Sequence, residues 1–400
     1  MQSPNTPIHL REELLIELAL MQYYNLITTL THSKYGSPIF AQRKSSGKLR
    51  ILIDLRRINH LLRDDYKETN FPISNMNDAT NHLAGKKLFN KLDCSQAYHC
   101  VQMAEPLSVQ LLSFNFSSRT YAYKCLAQGL SKSVTGFSSF VRHYLDPCLA
   151  GDLCTQYMDD IGIGVKSFDD LIPALTKVFE SIRRSGLKLS PSKCEFGHAE
   201  ITFLGNTITE KGMKPESEKI HKFLEKIKMP QTPKQDKRLL GFSQFFRNFL
   251  PNLNETLRPF YSLLKKDKIF NITDEHYEHL ERIKRDLLNA TSTTLRLAEP
   301  NKQFVILTDA SYHGSGFVLM IEDHTEDGKT IQYAPVSFGS KLFNAAQLKL
   351  SIYCKEFLAL YFALESFSHY IWGAEKPILV LTDNKSLTSF FQAKSIHPSL

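Results

Sequence analysis

Apolar positions along the chain alternate between helical spacing and period-two or continuous runs, and each switch marks an element. "REELLIELALMQYYNLI" (11–27) places its apolar residues on one face of a helix. "SPIFAQRKSSGKLRILIDLRRIN" reads as strand, polar Ser-Ser-Gly corner, strand. "KKLFNKLDCSQAYHCVQM" is strand-like up to Asp93, with a helical turn after it. "LIPALTKVFESIRRSGLKLSPSKC" predicts a helix stopped by Gly186, then an extended run and a break at Pro191. "ITFLGNTITEKGMKP" predicts a short hairpin, and from "KPESEKIHKFLEKI" to about Leu288 the pattern is helical, broken by Pro230, Pro233 and Pro251. Period two returns in "KQFVILTDASYHGSGFVLMI", read as strand, a turn containing Gly314 and Gly316, and strand. A long helix over "NAAQLKLSIYCKEFLALYFALESFSHYIWG" then precedes a buried strand, "KPILVLTD".

The 400 residues exceed one ordinary core, and the pattern changes near residues 210 and 300 place the boundaries. There is no internal repeat. No apolar run reaches the roughly 18 residues of a membrane span, and the first residues lack the layout of a secretory signal. Seven scattered cysteines with no C-x-x-C pair predict reduced thiols in an intracellular protein, not a zinc site. A net charge of +8 favours an anionic partner. Its basic residues gather at 43–50, 54–63 and 222–238, clusters that also fit plain solvated faces.

The stretch "CTQYMDDIGIGV" raises a sharper question, because Asp159 and Asp160 are like charges set between two apolar runs. A tight turn would put both carboxylates at a hairpin tip, although Asp is common in turns for bland reasons. The pairs Asp64-Asp65 and Asp169-Asp170 read as exposed helix starts or loops. Asp93 ends another apolar run, so a shared sheet would bring three carboxylates together. A hard divalent cation would offset their repulsion, as Mg²⁺ does with a few carboxylates and phosphate oxygens. Two such ions serve in-line displacement at phosphorus.

"LDCSQAY", "AQGLSKSVTGFSSF", "QYMDDIGIGV", "GLKLSPSKCEF" and "ITFLGNTIT" occur in the order of the motifs of retroelement reverse transcriptases. The chain most resembles the polyprotein core of gypsy-like LTR retrotransposons and retroviruses. The resemblance implies an α+β, right-hand polymerase with an antiparallel palm sheet, followed by a C-terminally incomplete RNase H-like α/β domain. It divides the chain into a helical lead-in (1–36), fingers and palm (37–209), thumb and connection (210–300) and the RNase H-like part (301–400).

It also implies roles. Asp93, Asp159 and Asp160 would hold two Mg²⁺ ions, with Mn²⁺ an alternative. Tyr98 resembles the steric gate against a ribose 2′-hydroxyl, with a core aromatic as the plain alternative. Gln128, Tyr157 and Met158 would line the nucleotide site, and Lys48 and Arg50 would hold the triphosphate by charge-assisted contacts. Phe203, Leu204 and Gly205, in "FLGNTI", resemble the primer grip. "LLGFSQFFRNFLPN" resembles a thumb signature in which Arg247 is the exposed contact. Partners would be an RNA template, a DNA primer, their hybrid and dNTPs, met through the backbone with little sequence preference and strong salt dependence.

A second acidic set follows. Asp309 and Asp383 end apolar strands, and Glu356 sits in a largely apolar helix. Taken singly, Asp383 could N-cap a helix and Glu356 could pair with Lys355 or Lys349. Together they resemble the acidic set of the RNase H domain, which cuts RNA in an RNA–DNA hybrid with two metal ions. A fourth ligand on the last helix has no match, and His397 falls too early for one. The leading reading is an RNA-directed DNA polymerase with an attached nuclease domain. An RNA-dependent RNA polymerase shares the palm carboxylates, and a decayed or host-retained copy would bind nucleic acid without chemistry. Primer, oligomeric state, release from a longer precursor and the choice among cytoplasm, virus-like particle and nucleus stay open.

Overall fold

The computed structural model describes residues 10–388 apart from 44–46, 48, 66–74, 105, 266–268, 325–330 and 386. Lys48 and His397 therefore lie outside the described residues. The chain forms two compact units, residues 1–82 with 88–198, and residues 83–87 with 199–400.

In the first unit, helix α1 (Arg11–Tyr23) buries Leu14, Leu18 and Met21, which recur at three- and four-residue intervals. They join Ile27, Ile39, Phe114, Tyr121 and Tyr123 in one core. That core is walled by β1 (Ile27–Leu30), the hairpin of β2 (Ile39–Arg43) and β3 (Leu49–Ile53), and helix α2 (Arg56–Asp65). After α3 (Met76–Asn81) comes β4 (Leu88–Asp93). Helix α4 (Pro106–Leu111), β5 (Ser113–Phe116) and β6 (Arg119–Tyr123) follow, giving an antiparallel sheet of order β1-β6-β5.

A second core lies under a four-stranded sheet. Helix α5 (Ser133–Ala150), β7 (Thr155–Tyr157), β8 (Asp160–Val165), α6 (Leu171–Ser185) and β9 (Glu195–His198) complete it. The strand order is β7-β8-β4-β9, and every pairing is antiparallel. Leu92, Ile161, Ile163 and Val165 pack on Phe137, Val141, Leu145, Val178 and Ile182 of the two helices. Each such side chain, fully buried, contributes about 2 kcal/mol of apolar transfer. Gly186, at φ 73°, ends α6 as expected, since an αL residue there suits glycine.

The second unit opens with β10 (Glu200–Phe203), β11 (Asn206–Thr209) and β12 (Gly212–Pro215). The expected hairpin is thus a three-stranded meander. Its third strand is held from far along the chain, by mutual backbone hydrogen bonds between Met213 and Leu295 of 2.8 and 2.9 Å. Helices α7 (Ser217–Leu224), α8 (Pro233–Phe245), α9 (Leu253–Leu263) and α10 (Asp274–Ser292) follow. Pro233 opens α8 instead of breaking a helix: it occupies the first turn behind the Thr232 cap, whose hydroxyl accepts from Gln235 N at 3.3 Å.

The remaining elements are β13 (Phe304–Ala310), β14 (Gly314–His324), β15 (Ile331–Leu342), α11 (Ile352–Ile371) and β16 (Leu379–Leu381), with sheet order β15-β14-β13-β16. Two expectations change here. Gly314 and Gly316 lie inside β14, not in the turn before it. The Gly316 Cα packs so closely on Asn252 that a Cβ would run into its side-chain oxygen. The long helix starts only at Ile352, capped by Ser351. Before it, the Asn344 side chain accepts from Ala346 N and Gln347 N at 3.0 and 2.9 Å, a local turn that competes with helix. Among the described residues no helix is long and apolar enough to cross a membrane.

Candidate active site

Sheet register builds the first site. Asp93, the last residue of β4, pairs with Asp160, the first residue of β8, and Asp160 also pairs with Tyr157 of β7. Residues directly opposite in an antiparallel pair share a face, so Asp93, Asp160 and Tyr157 stand together on the side away from the helices. Only Asp159 lies in the turn; Asp160 is already strand. Met158 takes φ 53°, a left-handed conformation costly for a residue with a side chain.

Burial is the largest influence on Asp160 and raises its carboxyl above the ordinary range; nearby Asp159 and Asp93 add to the rise, and Lys91 and Lys193 oppose it. Lys193 Nζ lies 3.2 and 3.3 Å from the two carboxylate oxygens of Asp93. Neither lysine belongs to the expected site. Lys91 was legible as the alternate residue before Asp93, on the same face; Lys193 arrives from the turn after α6 and left no local signal. Among the described residues, no three His, Cys, Asp or Glu side chains are gathered as a coordination sphere. The donor set still suits a hard divalent ion: carboxylate oxygens in mutual electrostatic range, of which one now faces an ammonium group.

Beside this sheet, a cavity of about 490 Å³ is lined in part by Arg50, Tyr98 and Gln128. Arg50 donates two hydrogen bonds to the Gln128 side-chain oxygen, one of them 3.1 Å from Nε. The Tyr98 ring is half-buried against Phe137, with centroids 5.3 Å apart. Burial, then proximity to Asp159, pushes its phenol pKa up. Tyr98 is therefore both a packed aromatic and a wall of the cavity. Tyr157 and Met158 stay at the hairpin and do not line it. Glu13 and Glu17 of α1 do, which sequence reasoning missed because nothing local ties that helix to this cavity. Glu13 is engaged by Arg43 at 2.6 and 3.1 Å.

The second site lies in the other unit. Asp309 sits near the end of β13, and β13 pairs in parallel with β16 (Leu307 with Leu381), so Asp309 and Asp383 fall at matching distances past that pair. Glu356 of α11 is only 5% exposed. It accepts a backbone hydrogen bond from Ala310, while its Oε2 is buried with no hydrogen-bond partner. Burial raises its carboxyl, Asp309 and Asp383 add to the rise, and the Ala310 contact opposes it. The plain alternatives are not realised. Lys355 donates to the Tyr312 carbonyl at 3.2 Å and stacks on that ring. The cap at Leu387 is Asn384, not Asp383. An orphaned buried oxygen beside two carboxylates fits a cation.

Phe203 is fully buried, and Leu204 and Gly205 form the β10–β11 turn at φ 51° and 81°. Arg247 is exposed. The basic cluster at 222–238 is partly self-neutralised, with Lys222 on Glu218 at 2.5 Å. All seven cysteines are free, and burial, then Asp159, pushes Cys94 up to about 12.

Residues 42–208 match the family model "Reverse transcriptase (RNA-dependent DNA polymerase)", and residues 299–400 match "RNase H-like domain found in reverse transcriptase". The chain is 29% identical over 397 residues to the retrovirus-related Pol polyprotein from transposon 297 of Drosophila melanogaster, covering 96% of this chain and 36% of that one. It is 29% identical over 350 residues to the transposon Tf2-3 polyprotein of Schizosaccharomyces pombe, covering 88% and 25%. It thus spans about a third or less of these relatives. Among solved structures, the foamy viral protease-reverse transcriptase in complex with dsDNA superposes with TM-score 0.83 at 22% identity, over 99% of this chain and 79% of that one. The same viral protein with an RNA/DNA hybrid gives 0.76 at 23%, over 99% and 52%. These likenesses establish a shared fold. Both matched families use divalent metal ions.

Proposed function

We propose that this chain, which belongs to the reverse transcriptase family over residues 42–208 and to the RNase H-like family over residues 299–400, copies RNA into DNA and carries a nuclease domain for the RNA strand of the hybrid. The observation that carries the reading is the register of β4 on β8, which sets Asp93 beside Asp160 with Asp159 next along a strained turn.

Asp93, Asp159 and Asp160 would hold two Mg²⁺ ions, or Mn²⁺ in their place. Such ions, if bound, would lower the pKa of a primer 3′-hydroxyl and neutralise charge on the pyrophosphate leaving group. To take part, Asp93 would exchange its contact with Lys193 for the metal, leaving that ammonium for an incoming anion. Arg50, whose Nε and Nη2 now donate to Gln128, would exchange that contact for charge-assisted bonds to the triphosphate of a dNTP. Tyr98, packed on Phe137 and lining the cavity, would exclude a ribose 2′-hydroxyl by its bulk. Phe203, Leu204 and Gly205 would present backbone and apolar surface to the primer, and Arg247 a phosphate contact.

In the second unit, Asp309, Glu356 and Asp383 would hold the ions for hydrolysis of the RNA strand. The orphaned Glu356 oxygen supports this role. Structural neighbours bound to dsDNA and to an RNA/DNA hybrid support nucleic-acid partners, here an RNA template, a DNA primer and their hybrid.

Primer extension on an end-labelled RNA template, with Mg²⁺ and with Mn²⁺, tests both activities at once. DNA synthesis in the presence of dNTPs is expected, with template shortening reporting the nuclease. A folded chain that binds hybrid and extends no primer overturns the polymerase reading.

A further inference from the structure

We infer that Gln156 is a positioning residue for the polymerase site: its side-chain amide holds the strained Met158 turn and so sets Asp159 and Asp160. This rests on the polymerase reading of that site.

Gln156 is an oddity in its surroundings. It pairs with Ile161, so its side chain lies on the helix-covered face of the sheet, opposite to Asp160. Ile161 is fully buried in a core of Phe137, Val141 and Val178, and Gln156 itself is only 7% exposed. A long polar side chain in such a place costs free energy unless its amide is satisfied. Its Nε2 donates to the Met158 carbonyl at 2.5 Å.

That carbonyl belongs to the one residue of the hairpin that needs help. Met158 sits at φ 53°, a conformation L-residues avoid, and nothing in its own chemistry favours it. Such strain persists only where surrounding contacts over-determine it. Two contacts do so. The next carbonyl, of Asp159, accepts from Cys94 N at 3.3 Å, and the Met158 carbonyl accepts from Gln156. The first comes from backbone that no substitution removes; the second hangs on one side chain. Since the turn directly joins Tyr157 to the two aspartates, its relaxation would swing Asp159 and tilt Asp160 from its register with Asp93. Gln156 touches no substrate in this scheme and acts only through the turn.

The test uses the full chain and Gln156→Met, which keeps length and apolar packing and removes the donor. Met158→Gly supplies the rescue, because glycine adopts positive φ without strain. Mn²⁺ affinity is read by electron paramagnetic resonance in a Glu356→Gln background, where the second site is weakened, alongside kcat and the KM for dNTP. Gln156→Met should melt near the parent, bind Mn²⁺ more weakly by on the order of tenfold, the worth of one lost hydrogen bond, and lose kcat similarly with KM unchanged. Adding Met158→Gly should restore most of both. Unchanged Mn²⁺ affinity and kcat in Gln156→Met overturn the assignment. So does a loss that Met158→Gly leaves unrepaired, since Gln156 would then be a packing residue. A parent chain that neither binds Mn²⁺ nor extends a primer brings down the polymerase reading, and this assignment with it.

Discussion

The two carboxylate sites solve the same electrostatic problem in opposite ways. In the first unit the acidic groups lie on the sheet face away from the helices, and the chain brings its own cations: Lys193 on Asp93, with Lys91 also within range of Asp160. In the second, Glu356 is buried from a helix, its nearest lysine in sequence is spent on the Tyr312 carbonyl, and one of its oxygens has no partner. The first site is therefore partly neutralised by lysine as it stands, and a cation there would have to displace an ammonium group. The second leaves a Glu356 oxygen unpartnered and would gain by receiving a cation. Like charges placed together do not dictate their own compensation; the neighbouring elements do.

Substitutions can break this comparison, beginning with the most severe. Asp159→Asn should reduce DNA synthesis by on the order of a thousandfold, since metal-assisted stabilisation is worth several kcal/mol. Hybrid binding and template cleavage should persist; primer extension that survives sinks the first site. Glu356→Gln should cut template cleavage by on the order of a hundredfold and spare synthesis. It should also raise the melting temperature at neutral and alkaline pH, whereas Asp159→Asn should not. The sign follows from the raised carboxyl. The folded chain binds this proton more tightly than the unfolded chain, so stability is highest below the unfolded pKa and falls as pH rises through the folded one. Glutamine removes that fall, and equal melting at pH 8 would mean that Glu356 is already compensated.

Tyr98→Val should admit ribonucleotides, shifting the dNTP-to-rNTP preference by about tenfold, the usual worth of a steric contact of this size. An unchanged ratio returns Tyr98 to the core. The mildest effect on chemistry is expected at Asp236, a fully buried carboxylate outside both sites, with both oxygens unpartnered and its pKa raised by burial to about 6 from 3.8. Its contribution is complete below about pH 4 and lost as pH climbs to about 6, where the buried charge costs about 3 kcal/mol. Asp236→Asn should raise the melting temperature at pH 8, scarcely change it at pH 4, and leave both activities near the parent. A gain of the same size at both pH values would show that charge is not the cause.

Much of this architecture was legible in the chain because its signals are local. Gly186 stops a helix by backbone freedom, and apolar runs ending in Asp93, Asp309 and Asp383 read as strands with an acidic end. What failed was also local in form but decided elsewhere. "GMKP" reads as the tail of a hairpin until Leu295 arrives to pair with Met213. Gly314 and Gly316 read as turn residues, yet both pair within β14, and glycine at 316 leaves room for the Asn252 side chain. The helix cap that Asp383 alone could have supplied is made by the next residue, Asn384.

By itself, the sequence determined which acidic residues end apolar runs and most of the elements around them, because period, caps and turn residues act over a few positions. Its motifs in fixed order also pointed to the two families whose models match residues 42–208 and 299–400. Only the tertiary structure decided what each polar group faces: that Asp93 meets Asp160 and Lys193, that Glu356 meets no cation among its described partners, and that the Gln156 amide donates to the Met158 carbonyl. Those contacts depend on register and packing between segments up to 100 residues apart, as for Asp93 and Lys193. Electrostatic and hydrogen-bond energies depend on such distances and on burial, neither of which a linear pattern contains.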